Sequence, residues 1–247
     1  MTGEERLAYF DCASGASAEM LMGSLVAAGL LEADLRDLLA PLQRAGAAFD
    51  LRIREVAKGP VSALELRIVD QVPDVEAHLE DMLTLLDAAR LRPGVLRDAT
   101  GILRRLAEEE ALHAGKRTED FTFRGTSGID SVVGAVGCTA ALASLEVHTV
   151  FCSPVNVGGG SAVITALLAG APIYEETPGL PLITPVAAAI LGSMTSEWPA
   201  SPPFAGGSIG YGAGLRDLPR PNVVRCFLGY GTIRSGPSRD RTSTSDA

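Results

Sequence analysis

The sequence predicts a mixed α/β fold: a single domain in which helices flank a mixed sheet, followed by a disordered tail. Short apolar runs typical of buried strands alternate along the chain with longer segments whose leucines recur at helical spacing. Hydrophobic residues make up 47% of the 247 residues and charged residues 21%, so the chain can bury a sizeable core. The polar low-complexity stretch 235–247 is the predicted tail, which leaves residues 1–234 for the domain.

Each predicted element follows from periodicity and from the residues at its ends. An apolar run predicts a strand that ends at Asp11, and the next helix begins near Ala18 and ends at Gly29, a residue type common at helix C-termini. The predicted strands are 7–10, 49–56, 63–69, 121–123, 147–153, 173–174 and 223–228. The predicted helices are 18–28, 31–42, 74–89, 95–113, 129–145, 162–169 and 185–191. The proline- and glycine-rich stretch 199–214 is predicted to be a loop.

Charge and hydropathy exclude several function classes. The chain has 21 lysines and arginines against 30 aspartates and glutamates, a net charge of −9. Because this negative charge repels polyanions, we expect neither nucleic acid nor an anionic membrane as a partner. No stretch approaches the roughly 18 apolar residues of a transmembrane helix. The polar, acidic start is unlike a signal peptide, and we expect a cytoplasmic protein.

The cysteines and histidines argue against a metal centre built from soft ligands. The four cysteines lie far apart in apolar stretches without a CxxC pair, so we expect buried, reduced thiols. Three widely spaced histidines are too few for a histidine-rich site. Glu109 and His113 share a helix face, where a solvated acidic face is the favoured interpretation over a ligand pair.

Acidic residues near two helix starts are the main candidates for chemistry. Asp11 ends the first strand, Ser14 and Gly15 follow it, and Glu19 lies in the first turn of the next helix. Strand ends of α/β sheets form ligand crevices, and Asp11 is a candidate oxygen ligand for a divalent ion. Asp130 begins an apolar helix and is either a second such ligand or an N-cap.

A triple glycine precedes another helix. Gly158, Gly159 and Gly160 follow a strand, and successive glycines let backbone amides approach a phosphate closely. No Lys-Ser/Thr pair follows, so this is not a Walker loop. A loop that only turns the chain is the alternative interpretation.

Several motifs resemble the nickel insertion proteins that complete the nickel-pincer cofactor of lactate racemase. Residues 11–23, DCASGASAEMLMG, resemble that family's opening motif D-x-F-S-G-I-S-G-D-M-x-L-G. Further landmarks follow in family order as LAEEEA at 106–111, GIDSVV at 128–133, SPVNVG at 153–158, GYGAG at 210–214 and PNVVR at 221–225. The resemblance therefore covers nearly the whole predicted domain, and the chain corresponds to the N-terminal part of the longer family members.

The chain departs from the family at expected metal ligands. The family's H-F-H-E signature aligns with Thr122-Phe123-Arg124-Gly125, so both histidines and the glutamate are replaced. The second aspartate of the following helix is Gly134, and the G-D-M of the opening motif is Ala18-Glu19-Met20. Asp11, Glu19 and Asp130 are the acidic positions that still match, whereas nickel prefers nitrogen and sulfur donors.

The resemblance implies a function in nickel-cofactor biosynthesis. The family is a CTP-dependent nickel chelatase, classed with the lyases, that inserts nickel into a pyridinium dithiocarboxylate mononucleotide, with manganese or magnesium as a further divalent ion. Asp11, Glu19 and Asp130 would then be metal ligands, and Ser14, Gly15 and Gly158 to Gly160 would bind the mononucleotide. The alternative is a degenerate, non-catalytic paralogue that binds a cofactor or a partner. Expected partners are a second copy of the chain, a separate C-terminal-domain protein or an intact homologue.

Overall fold

The computed structural model describes residues 4–72, 76–124, 127–176 and 178–231. Within these residues the strands are β1 Glu5–Asp11, β2 Phe49–Lys58, β3 Val61–Asp70, β4 Val147–Cys152, β5 Val155–Asn156, β6 Ile173–Tyr174, β7 Thr195–Glu197, β8 Ala205–Ala213 and β9 Val223–Gly231. The helices are α1 Ala18–Ala28, α2 Glu32–Arg44, α3 Leu79–Ala89, α4 Pro93–His113, α5 Ser127–Ser144, α6 Ala162–Leu167 and α7 Pro185–Met194. The mixed α/β prediction is confirmed.

One mixed sheet organises the domain, in the strand order β2-β3-β8-β9-β1-β4-β7. The strand β1 pairs with β4 in parallel and with β9 in antiparallel orientation, so that Asp11 lies opposite Arg225. The strands β5 and β6 form a separate parallel pair. Because β1 and β4 run in parallel, the loops that follow both strands meet at one edge of the sheet.

The two faces of the sheet are covered differently. Ala8 and Phe10 of β1 point into the main core, which most of the helices share. Leu7 and Tyr9 point to the opposite face, where they form a smaller cluster with Phe151. This alternation follows from the period-2 geometry of a strand, whose neighbouring side chains point to opposite faces.

The prediction of a loop at 199–214 is wrong, because β8 lies inside it and pairs with β3 and β9. The glycines that indicated a loop serve helix packing instead. A Cβ at Gly210 would overlap the Ser24 carbonyl oxygen, and one at Gly212 would overlap that of Met20. The backbone of α1 therefore packs directly on β8, an approach that only glycine allows.

Gly212→Ala is expected to lower the free energy of unfolding by about 1–3 kcal/mol, because the added methyl group forces α1 away from β8. Denaturation in urea would measure this change. Gly101→Ala in the middle of α4 is the matched control, since a Cβ there meets no atom within 4 Å. The control should gain about 0.5–1 kcal/mol from higher helix propensity. Equal stability of Gly212→Ala and the wild type would contradict this packing.

The remaining elements agree with the sequence apart from their ends. The helix predicted from 74 begins at Leu79, and residues 73–75 lie outside the described part of the chain. The predicted strand at 121–123 is a single bridge between Ala77 and Phe123, preceded by one 3-10 turn at Thr118–Asp120. The predicted tail 235–247 also lies outside the described residues. No helix among the described residues is long and apolar enough to span a membrane.

Candidate functional site

Three loops meet at the edge of the sheet where β1 ends; we call 12–17, 179–184 and 214–222 the rim loops. The amide of Ala16 donates to the Leu182 carbonyl at 3.0 Å, and the Ser14 hydroxyl donates to the Pro221 carbonyl at 2.9 Å. Gly15 has a φ of 80°, and a Cβ there would overlap the Leu182 carbonyl oxygen. Ser14 and Gly15, both predicted to bind the mononucleotide, therefore hold the rim loops together.

The rim loops enclose a cavity of about 380 Å³, which we call the rim cavity. The first turn of α1 forms one wall, where the Ser17 hydroxyl accepts a hydrogen bond from the Met20 amide at 3.2 Å and so caps the helix. Its lining includes Glu19, Leu182, Thr184, Leu215, Arg216 and Asn222. A carboxylate, a guanidinium and apolar side chains thus face the same space.

A second cavity of about 250 Å³ lies on the other side of Glu19; we call it the acidic cavity. Glu19 of α1, Glu110 of α4 and Asp130 of α5 line it, together with Phe123. Glu19, Thr184 and Pro185 line both cavities and so form the wall between them. The structure therefore brings two predicted metal ligands, Glu19 and Asp130, to one cavity, and adds Glu110.

Burial raises the pKa of Glu110, and the nearby His113 only partly opposes this shift. His113 itself lies close to the end of α4, with its Nδ1 2.8 Å from the Glu109 carbonyl oxygen. An ionised Glu110 at neutral pH is therefore held in surroundings that disfavour its charge. Carboxyl groups with a shifted pKa are concentrated at functional sites, which makes Glu110 a further candidate residue of this cavity.

Glu110→Gln is expected to raise the melting temperature at pH 7. The pKa of the Glu110 carboxyl is higher in the folded protein than in the unfolded chain. The protein therefore has the full stability contribution of Glu110 below the unfolded-state pKa, and it loses this contribution as pH rises through the folded-state pKa. Glutamine, which is neutral at every pH, removes that loss. Melting temperatures of both proteins between about pH 4 and pH 8 would measure the difference. Glu108→Gln on the exposed side of the same helix is the control, and a difference independent of pH would contradict the prediction.

Asp11 lies apart from the two cavities and is paired with an arginine. Its Oδ1 accepts from the Ala13 amide at 3.0 Å, and its Oδ2 accepts from Arg225 Nε at 3.0 Å and from Arg225 Nη2. Burial alone would lower the pKa of Arg225, but the hydrogen bond and charge of Asp11 raise it. The charge of the Asp11 carboxylate is therefore balanced by Arg225, and its role as a metal ligand stays a prediction.

Asn156 connects the end of β1 to the triple glycine. This fully buried side chain donates to the Ala13 carbonyl at 3.0 Å and accepts from the Gly158 amide at 3.2 Å and the Glu176 amide at 3.3 Å. Glu176 in turn pairs with Arg220 of the third rim loop. Both ends of the amide are satisfied, which makes Asn156 a structural link between the loops.

The triple glycine packs against the second rim loop. Gly158 has a φ of 59°, and a Cβ there would overlap the Leu180 carbonyl oxygen. A Cβ at Gly159 would lie 2.8 Å from the backbone of Gly179, and one at Gly160 would lie 3.0 Å from Val157 Cγ2. None of the three glycines lines the rim cavity or the acidic cavity. Their observed contacts are with neighbouring backbone and side chains, which agrees with a loop that only turns the chain.

The four cysteines are free and buried, which confirms that prediction. Cys12 and Cys152 approach each other, with 3.7 Å between their Sγ atoms, and burial raises the pKa of the Cys152 thiol well above its usual value. Among the described residues, no group of three His, Cys, Asp or Glu side chains is arranged to hold a metal ion. The carboxylates of the acidic cavity thus face one space without forming a closed ligand set.

Sequence reasoning missed four residues of these sites: Asn156, Glu110, Arg216 and Arg225. Asn156, Glu110 and Arg225 stand inside the motifs quoted above, but nothing local distinguishes them from surface residues. Arg216 lies in a loop without a motif. Contacts between distant segments identify all four.

Comparison with known proteins points to one family. A family model described as nickel insertion protein matches residues 8–246. The chain is 32% identical to a protein of Roseiflexus castenholzii over 96% of this chain and 62% of that protein. It is 31% identical to the pyridinium-3,5-bisthiocarboxylic acid mononucleotide nickel insertion protein of Desulfitobacterium hafniense, over 91% of this chain and 58% of that protein. The chain thus spans about three fifths of the length of these relatives. No solved structure matches it.

Proposed function

Because the chain belongs to the nickel insertion protein family, we propose that it takes part in inserting nickel into pyridinium-3,5-bisthiocarboxylic acid mononucleotide. One observation carries the proposal beyond the family match: three carboxylates line a cavity that shares a wall with a larger, partly apolar one. Two adjoining spaces of this kind suit a metal ion and an organic acceptor that must come together.

The carboxylates would receive nickel as a substrate and not keep it. Nickel is bound more strongly by nitrogen and sulfur than by carboxylate oxygen. Transfer from Glu19, Glu110 and Asp130 to the two thiocarboxylate sulfurs of the acceptor is therefore favourable. An incomplete set of oxygen ligands suits a site that releases its ion, since the acceptor supplies the missing donors.

The positions where this chain departs from the family also support the acidic cavity. Ala18, where the family has glycine, lines it, and so does Phe123, which keeps the phenylalanine of the segment that aligns with H-F-H-E. Gly134 lies one turn beyond Asp130 on α5, and a Cβ there would lie 2.6 Å from Ala18 Cβ. Position 134, where the family has an aspartate, therefore lies next to a residue that lines the acidic cavity.

These carboxylates do not form a closed protein cage for a resident manganese or magnesium ion. Among the described residues, no group of three His, Cys, Asp or Glu side chains is arranged to hold an ion by itself. The proposed role of Glu19, Glu110 and Asp130 is thus limited to the nickel that is being transferred.

A direct insertion assay tests the proposal. The purified chain would be incubated with nickel, the metal-free mononucleotide, CTP and manganese, and the nickel-containing product would be detected by mass spectrometry. We expect product above the level formed without protein. Binding of the mononucleotide without product would instead favour a cofactor-binding role. The absence of both mononucleotide binding and product would contradict the proposal.

A further inference from the structure

Arg216 is a cation at the mouth of the rim cavity, and it has no carboxylate partner in the part of the chain that the structure describes. Its side chain is exposed and lines the cavity, and its Nη1 donates to the Pro181 carbonyl at 2.9 Å. Across the described residues, no Asp or Glu oxygen lies within 4.0 Å of its guanidinium, although most other arginines in hydrogen bonds have such a partner. An arginine left unpaired in a chain of net charge −9 is suited to bind an anion from outside.

The backbone around Arg216 is held in place before any ligand arrives. Its carbonyl accepts from Asn222 Nδ2 at 2.9 Å and from Lys58 Nζ at 3.4 Å. The Gly214 amide donates to the Asn222 carbonyl at 2.8 Å, which closes the same loop. Preorganised contacts of this kind reduce the entropy lost on binding.

The rest of the rim cavity suits an aromatic ring and a sugar. Leu215, Leu182 and Ile183 line it and supply the apolar surface that a ring needs. The volume of about 380 Å³ falls in the range of small-molecule sites, which combine apolar walls with a few polar groups.

The two charged residues of the rim cavity set an orientation. Glu19 lies on the wall shared with the acidic cavity, whereas Arg216 lines only the rim cavity. A pyridinium ring is positively charged and would be attracted to the Glu19 carboxylate. A phosphate monoester carries negative charge and matches the donors of a guanidinium.

We propose, building on the proposed function, that the rim cavity binds the pyridinium mononucleotide with its ring toward Glu19 and its phosphate on Arg216. This orientation directs the thiocarboxylates at the ring toward the acidic cavity. It also leaves the phosphate at the solvent-exposed mouth of the rim cavity, next to Arg216.

Binding of nicotinic acid mononucleotide to the metal-free protein tests this assignment, because that probe has the same ring type and phosphate but no sulfur. Isothermal titration calorimetry would compare the wild type with Arg216→Gln. We expect the variant to bind about tenfold or more weakly, the effect of losing a charged hydrogen bond. Arg97→Gln is the matched control, since Arg97 is exposed on α4, pairs with its neighbour Asp98 and does not line the rim cavity.

Nicotinic acid riboside, which lacks the phosphate, identifies the group that Arg216 binds. We expect the riboside to bind Arg216→Gln and the wild type equally. Equal loss of both probes would overturn the phosphate assignment, and so would unchanged binding of the mononucleotide to a variant with wild-type melting temperature. Absence of binding to the wild-type protein would overturn the inference too. Because these titrations contain no nickel, they fail or succeed independently of the insertion assay.

Discussion

Replacing both Glu19 with glutamine and Asp130 with asparagine is expected to reduce nickel insertion by about 100-fold or more. Both side chains line the acidic cavity, and loss of even an outer-shell partner of a metal ligand commonly lowers metal affinity or activity by about 10- to 100-fold. The neutral amides keep the size of the carboxyl groups but lose their charge. Initial rates of product formation at saturating mononucleotide would measure the loss.

A matched pair of substitutions separates this local effect from the change in net charge. Glu108→Gln with Asp98→Asn removes two negative charges from α4 without changing a residue that lines the acidic cavity. This control should insert nickel at the wild-type rate. Asp130→Asn alone should still bind nicotinic acid mononucleotide normally, because Asp130 does not line the rim cavity. Wild-type insertion by the Glu19/Asp130 double variant would exclude the acidic cavity as the nickel site.

Restoring the family pattern at two packed positions is expected to rebuild a ligand. Gly134→Asp alone should lower the free energy of unfolding by about 1–3 kcal/mol, because the new Cβ would crowd Ala18 Cβ at 2.6 Å. Ala18→Gly alone should cost about 0.8 kcal/mol, because it removes a buried methyl group. The double variant should be more stable than the sum of the two losses predicts, since glycine leaves room for the aspartate.

The same double variant should bind nickel more tightly than the wild type. Residues 130 and 134 are separated by four positions of one helix, so their carboxylates would share a face. Urea denaturation of all four proteins gives the coupling energy, and calorimetric nickel titration gives the affinity. Additive stability losses would show that the two positions are not coupled through packing. Unchanged nickel affinity would show that position 134 does not reach the metal.

The sequence by itself determined the fold class, most element positions and the family. Apolar periodicity is a local property, and the pattern around β1 and α1 is strong enough to place Asp11 and Glu19 correctly at a strand end and a helix start. The motifs around Asp130 and Gly158 were also recognisable, since they lie within short stretches of chain.

Only the tertiary structure decided which of these residues act together. Glu19 and Asp130 meet Glu110 because α1 and α4 both pack against α5. Asp11 instead forms an ion pair with Arg225, because β1 pairs with β9. The strand β8 was missed for the same reason: its glycines look like a loop until α1 is placed on top of them. The spacing of apolar residues indicates the environment of one segment of the chain. A cavity lined by several helices, or a helix packed directly on a strand, depends on segments that are distant in the sequence.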